Sequence, residues 1–262
     1  MKISRIIISY VLILLVLPGS LFANISTVNM INKVTDNRVL WFQAAKEYHK
    51  MGNSQQEFYW YQKSAKQGFA DAQVNLGNMY RNGHGVPKDY AKAVYWYQQA
   101  SDQGNAIAQN NLASMYRGGL GVKQDNELAV KWYRNAANQD NNTAQFNLGN
   151  MYRRGKGVPQ NYQMALFWFK KSANQGIPQA QTNLGNMYRL GEGVEIDYQK
   201  AFIWYQKASD LGFAEAQFNI GSMYLNGEGV PQSNEKALIW YKKSADAGNQ
   251  VAKSMYDQLI KK

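Results

Sequence analysis

One period governs this chain. An alanine recurs at Ala72, Ala108, Ala144, Ala180, Ala216 and Ala252, and a tryptophan at Trp60, Trp96, Trp132, Trp168, Trp204 and Trp240, both at intervals of 36 residues. A sequence that repeats itself at such an interval forms units that pack on their neighbours, so its 262 residues count repeats and not globular cores. The expected class is all-α, an array of helical hairpins.

Five complete units run over 72–107, 108–143, 144–179, 180–215 and 216–251. In the first, Ala72, Leu76, Met79 and Tyr80 fall at i, i+4, i+7 and i+8, one apolar stripe of a helix. Gly77, Gly149, Gly185 and Gly221 interrupt the stripe in four of the five copies, with Ala113 in the other. A glycine inside a helix costs about 1 kcal/mol relative to alanine, so its return predicts close approach by another helix. The second helix carries Ala93, Trp96, Tyr97 and Ala100, large side chains between small ones. Gly-x-Gly-Val ends each first helix, and three residues after each valine stands Asp89, Asp125, Asn161, Asp197 or Ser233, an N-cap for the helix that follows. Gly68, Gly104, Gly176, Gly212 and Gly248 close the second helices, with Asp140 the departure. Residues 38–71 read as a shortened amino-terminal hairpin without the Gly-x-Gly-Val loop, and 252–262 as a polar capping helix.

The amino terminus follows another logic. Residues 1–23 hold Lys2 and Arg5, an apolar run from Ile6 to Leu17 and a small residue at Ala23, the pattern of a secretory signal peptide. That run is short of the ~20 apolar residues a membrane span needs. Residues 24–37 read as a polar tether. The mature chain is therefore expected to be soluble, exported to a periplasm or secreted, and without a membrane span. The absence of cysteine excludes disulfides, a thiol nucleophile and lipid attachment at the cut. Removing Lys2 and Arg5 from the formal +11 leaves +9, which favours acidic partners. The basic residues are spread through every repeat, which argues against nucleic acid.

The combination of Ala-x-x-x-Leu-Gly-x-x-Tyr, Gly-x-Gly-Val and Asp-x-x-x-Ala-x-x-Trp-Tyr at this period resembles the Sel1-like repeat family, a relative of the tetratricopeptide repeats. The resemblance implies antiparallel helix pairs stacked into a right-handed superhelix, a solenoid whose first helices line the concave side. It also implies a scaffold or adaptor role, with bacterial members linked to envelope signalling, cell-wall enzyme control and contact with host cells. Some cysteine-rich members have been called β-lactamases; those cysteines are absent here, and the activity is not carried over.

Nothing in the chain has the pattern of a catalytic constellation. The two histidines, His49 and His84, leave little material for a zinc site and read as surface residues, Asp89, Asp125 and Asp197 are caps, and no metal or cofactor is expected. What stacking does not account for is a polar band on the first helices. Asn75, Asn111, Asn147, Asn183 and Asn219 form one series, Asn78, Asn150 and Asn186 with Ser114 and Ser222 a second, and Arg81, Arg117, Arg153 and Arg189 a third, broken at Leu225. Asparagine amides can bond a peptide backbone of any sequence, and arginines select carboxylates through paired hydrogen bonds. The alternative is that the asparagines bond between neighbouring repeats. Gln73, Gln109, Gln145, Gln181 and Gln217 form a further series, read only as helix-to-helix hydrogen bonding. The expected function is a monomeric, non-catalytic scaffold binding a protein or extended peptide with acidic groups; the alternative is a peptidoglycan-associated regulator, inhibitor or hydrolase of the cell wall.

Overall fold

The computed structural model describes residues 36–261. The signal-peptide reading of 1–23 and nearly all of the tether lie outside the described residues. Within them every regular element is a helix: α1 (Asn37–Lys50), α2 (Ser54–Lys66), α3 (Ala70–Asn82), α4 (Tyr90–Asp102), α5 (Ala106–Gly118), α6 (Asn126–Ala137), α7 (Asn142–Arg154), α8 (Tyr162–Asn174), α9 (Pro178–Leu190), α10 (Tyr198–Asp210), α11 (Ala214–Asn226), α12 (Asn234–Asp246) and α13 (Gln250–Ile260). The chain divides after Trp132, within α6, into two compact units. In the first, consecutive helices from α1 to α5 pack on one another; in the second, consecutive helices from α7 to α13 do the same. Among the described residues no helix is long and apolar enough to cross a membrane.

The caps fall where the sequence puts them. Asp89, Asp125, Asn161 and Asp197 each accept the amide three residues on at 2.8–2.9 Å, and Ser233 does so at 3.2 Å. The Asp140 departure is real in the backbone as well: it takes φ 58°, the one non-glycine among the described residues with positive φ.

The close approach predicted from the helix glycines is made within each hairpin. A Cβ at Gly77 would lie 2.6 Å from Cε1 of Tyr97, and one at Gly185 2.6 Å from Cε1 of Tyr205. The aromatic that fills the space is therefore the residue after the tryptophan. Tyr97, Phe169, Tyr205 and Tyr241 are essentially fully buried, while Trp96, Trp204 and Trp240 stay half-buried. One residue along a helix turns the side chain by about 100°, enough to take it from the seam between hairpins to the glycine of its own hairpin. Burial is the main cause that pushes the hydroxyls of Tyr97 and Tyr205 up to about 12.

Neighbouring hairpins are joined by the loops. A Cβ at Gly85 would come 2.5 Å from the carbonyl oxygen of Ser54, and one at Gly229 2.6 Å from Cβ of Tyr198; with Gly121 on Tyr90 and Gly193 on Tyr162, these loops rest on the start of the second helix of the preceding repeat. Gln163 and Gln199, near the start of α8 and α10, donate to the carbonyls of Gly193 and Gly229 at the same joint.

The glutamine series has a definite task. Gln73, Gln145 and Gln181 donate to the carbonyls of Ala65, Ala137 and Ala173 at 3.1–3.2 Å, and Gln109 to Ser101 at 3.4 Å, satisfying the carbonyl ends of the preceding second helix. Gln103 and Gln175, thirty residues further on, donate to the Oε1 atoms of Gln73 and Gln145 at 2.7 and 2.8 Å. That second position is Leu211 or Ala247 in later repeats, and there Oε1 of Gln181 and of Gln217 is buried without a partner among the described residues.

Candidate partner-binding site

The asparagines on the first helices are held in place by one another. Asn111 donates to Oδ1 of Asn78 at 3.3 Å, Asn183 to Asn150 at 3.3 Å and Asn219 to Asn186 at 3.5 Å. The first series of one repeat thus bonds the second series of the repeat before it, the arrangement the alternative reading described. The hydroxyls of Tyr97 and Tyr205 add a second donor, at 2.7 Å to Asn78 and 2.6 Å to Asn186. Asn75, Asn78, Asn111, Asn150, Asn183, Asn186 and Asn219 remain half-buried, and Asn147 is buried.

The arginines separate into two kinds. Arg153 donates from Nε and Nη2 to both oxygens of Glu192 at 2.7 and 3.2 Å, and Arg189 from Nη1 to Glu228 at 3.3 Å. The hydrogen bond to Glu192 is the main cause that raises the Arg153 guanidinium above its ordinary range. Their carboxylates thus come from the chain itself, from the loop of the following repeat. Arg81, half-buried, bonds only the side chain of Asn82 at 3.2 Å, and Arg117 is exposed; among the described residues neither has a carboxylate partner.

Asn75 and Asn78 line an open pocket of about 270 Å³ together with Met79, Asn82, His49, Glu57 and His84. The two histidines, read as unrelated surface residues, meet here on the Glu57 carboxylate, which is buried. His49, Glu57 and His84 form a group that could hold a metal ion. The signal that could have found it lies in the period: Glu57 stands 36 residues before Ala93, at a register that is alanine in every later copy.

A second surface was missed for a similar reason. The residue before the tryptophan points outward, and it is exposed and apolar at Tyr59 and Tyr95 in the first unit and at Phe167, Ile203 and Ile239 in the second. Tyr59, Tyr95 and Phe167 each stack edge-on against the tryptophan that follows, at 4.9–5.1 Å between ring centres. Isolated exposed apolar residues are ordinary, but five at one register make ladders, visible in the sequence as an apolar residue at Trp−1.

A family model described as the Sel1 repeat matches residues 58–69, 70–105, 106–141, 142–177, 178–213 and 214–249. Among solved structures, a Sel1 repeat protein from Oxalobacter formigenes is 33% identical with a TM-score of 0.78, over 85% of this chain and 87% of that one. A protective antigen of uropathogenic Escherichia coli strains displaying an SLR fold is 34% identical with a TM-score of 0.79; the match covers 90% of this chain and 51% of the antigen. An immunity protein from Pseudomonas aeruginosa is 25% identical with a TM-score of 0.50, over 86% and 83% of the two chains. No protein of curated function matches. With the family's repeat unit matched over most of the helices, and with the same α-solenoid architecture in relatives a third identical, this chain belongs to the Sel1 repeat family.

Proposed function

We propose that the chain is an exported, monomeric and non-catalytic scaffold that holds a protein or extended peptide bearing acidic groups against its first helices. Sel1 repeat proteins generally serve as protein-interaction scaffolds, which supports the class. The observation that carries the finer reading is the state of Arg81 and Arg117. Each offers a guanidinium with no carboxylate of its own among the described residues, 36 residues apart at one register of the repeat, and Arg81 follows the pocket-lining Asn75 and Asn78 on α3. Asparagine amides would take the backbone of the partner, and the two arginines its acidic side chains. The Asn–Asn and Tyr–Asn bonds fix the amides before a ligand arrives, so the cost of ordering falls mainly on the partner.

Export rests on the leader pattern of residues 1–23, and it places the work in a bacterial envelope or outside the cell, in envelope signalling or contact with a host. The test is crosslinking and affinity capture from that envelope with the native chain and with an Arg81→Glu, Arg117→Glu variant. A partner retained by the native chain and lost by the variant is the expected result. Equal capture by both would remove the arginines from the site, and cosedimentation with purified peptidoglycan in place of a protein partner would transfer the function to the cell wall.

A further inference from the structure

The whole chain contains two histidines, and the fold brings both to one carboxylate. His49 Nδ1, at the end of α1, lies 3.1 Å from Glu57 Oε1; His84 Nε2, in the loop after α3, lies 3.1 Å from Glu57 Oε2. One ligand atom from each of the three side chains falls within 4.8 Å of those of the other two. We infer that His49, Glu57 and His84 are a binding site for a zinc-class divalent cation, joining the first hairpin to the first complete repeat.

The repeat supplies its own control. Thirty-six-residue steps from Glu57 reach Ala93, Ala129, Ala165, Ala201 and Ala237, all fully buried. Five copies put a methyl group at this place, and the one copy that puts a carboxylate there is the one beside which both histidines stand. A buried carboxylate is costly unless it is paired or coordinates a metal. His84 departs from its register too: the middle of the same loop is Leu120, Lys156, Glu192 or Glu228 in the later repeats. The close seating of Gly85 on Ser54, three residues ahead of Glu57, holds the imidazole of His84 over α2.

The donor set and spacing suit zinc. Two imidazoles and a carboxylate bind zinc at about 2.0–2.2 Å, so neighbouring donors of a tetrahedral site are about 3.4 Å apart. Both histidine–glutamate separations are near that value, and the third pair, the two imidazole nitrogens, lies within 4.8 Å. Magnesium and calcium prefer all-oxygen shells. The imidazoles are accessible, with side chains 66% and 52% exposed, while Glu57 anchors from beneath at 6%. The three donors share a pocket with Asn75, Asn78 and Asn82, which leaves room for a water to fill a fourth position.

The test uses the untagged chain stripped with a chelator and titrated calorimetrically with zinc, with magnesium as the control. The expected result is one zinc per chain at micromolar affinity or tighter, no magnesium binding, and a rise in the unfolding midpoint with zinc. His84→Leu, which installs the residue of the next repeat, and His49→Ala alter exposed side chains and should keep the helicity of the native chain. Each should weaken zinc by about a hundredfold or more, because loss of even an outer partner of a metal site costs 10–100-fold. Cobalt(II) should give the visible absorption of a tetrahedral site in the native chain and not in Glu57→Ala. Absence of zinc binding by the native chain, or equal affinity in the histidine variants, would show that the imidazoles only hydrogen-bond Glu57 and would overturn the inference. This outcome is independent of whether Arg81 and Arg117 bind a partner.

Discussion

Arg153 on α7 grips Glu192 in the loop of the next repeat with two hydrogen bonds, 2.7 Å from Nε to Oε2 and 3.2 Å from Nη2 to Oε1. The pair is about a fifth exposed on each side, so solvent screens it only in part. Arg153→Met should therefore lower stability by about 1–2 kcal/mol, and a double-mutant cycle with Glu192→Gln should return most of that as coupling energy. Arg117→Glu, at the same register but exposed, should stay within about 0.5 kcal/mol of the native chain. Chemical denaturation of the four variants checks both statements; equal losses at the two arginines would erase the distinction between joint and free guanidinium.

Gly77→Ala sets helix propensity against packing. The methyl group improves the helix by about 1 kcal/mol, yet it would stand 2.6–2.7 Å from ring atoms of Tyr97, whose hydroxyl is tied to Asn78. Overpacking of that kind costs about 1–3 kcal/mol, so a net loss is expected. In a Tyr97→Leu background the same substitution should turn neutral or stabilising. Thermal unfolding of the pair decides it, and a more stable single variant would refute the tight seam.

Leu211→Gln should stabilise the second unit. Leu211 is exposed and stands where Gln103 and Gln175 bond their glutamine partners, while Oε1 of Gln181 is buried without a donor. Supplying that donor recovers about 1 kcal/mol, the lower part of the penalty for an unsatisfied buried group. An unchanged unfolding midpoint would mean that the carbonyl oxygen is already served by solvent.

Alkali should unfold the array late and sharply. Tyr61, Tyr97 and Tyr205 are each pushed up to about 12, chiefly by burial, from an ordinary value of 10.0. The neutral phenol is the form the fold favours, so the stability linked to these groups is complete below pH 10 and is lost as pH rises from about 10 to 12. Phenolate absorbance followed together with circular dichroism should show a late class of tyrosines ionising as helicity falls. Complete ionisation near pH 10 with helices intact would contradict the buried placement.

The elements were legible because they repeat. The caps from Asp89 to Ser233 and the Asp140 irregularity report on the residue's own turn of helix, the helix glycines recur against helix propensity, and periodicity exposes such positions directly. The site was legible only in outline. Asn78 and Asn111 lie on one band in both sequence and structure, but their mutual bond depends on how two first helices cross, which no single period states. The deeper knob went to Tyr97 and not Trp96 because one position of helical phase separates the seam inside a hairpin from the seam between hairpins. His49, Glu57 and His84 were missed because the departure from a repeat matters as much as the repeat, and Glu57 looks unremarkable until compared with Ala93.

The seating of Gly85 on Ser54, and of Gly229 on Tyr198, gives the array a direction. At Gly85 and Gly121 in the first unit, and at Gly193 and Gly229 in the second, the loop rests on residues earlier in the chain. During synthesis, a hairpin leaving the ribosome finds its seat already built, and the contacts it makes are short-range in sequence, the kind that form fast. Assembly from the amino-terminal end can therefore proceed like a zipper, with each closed tooth preparing the next.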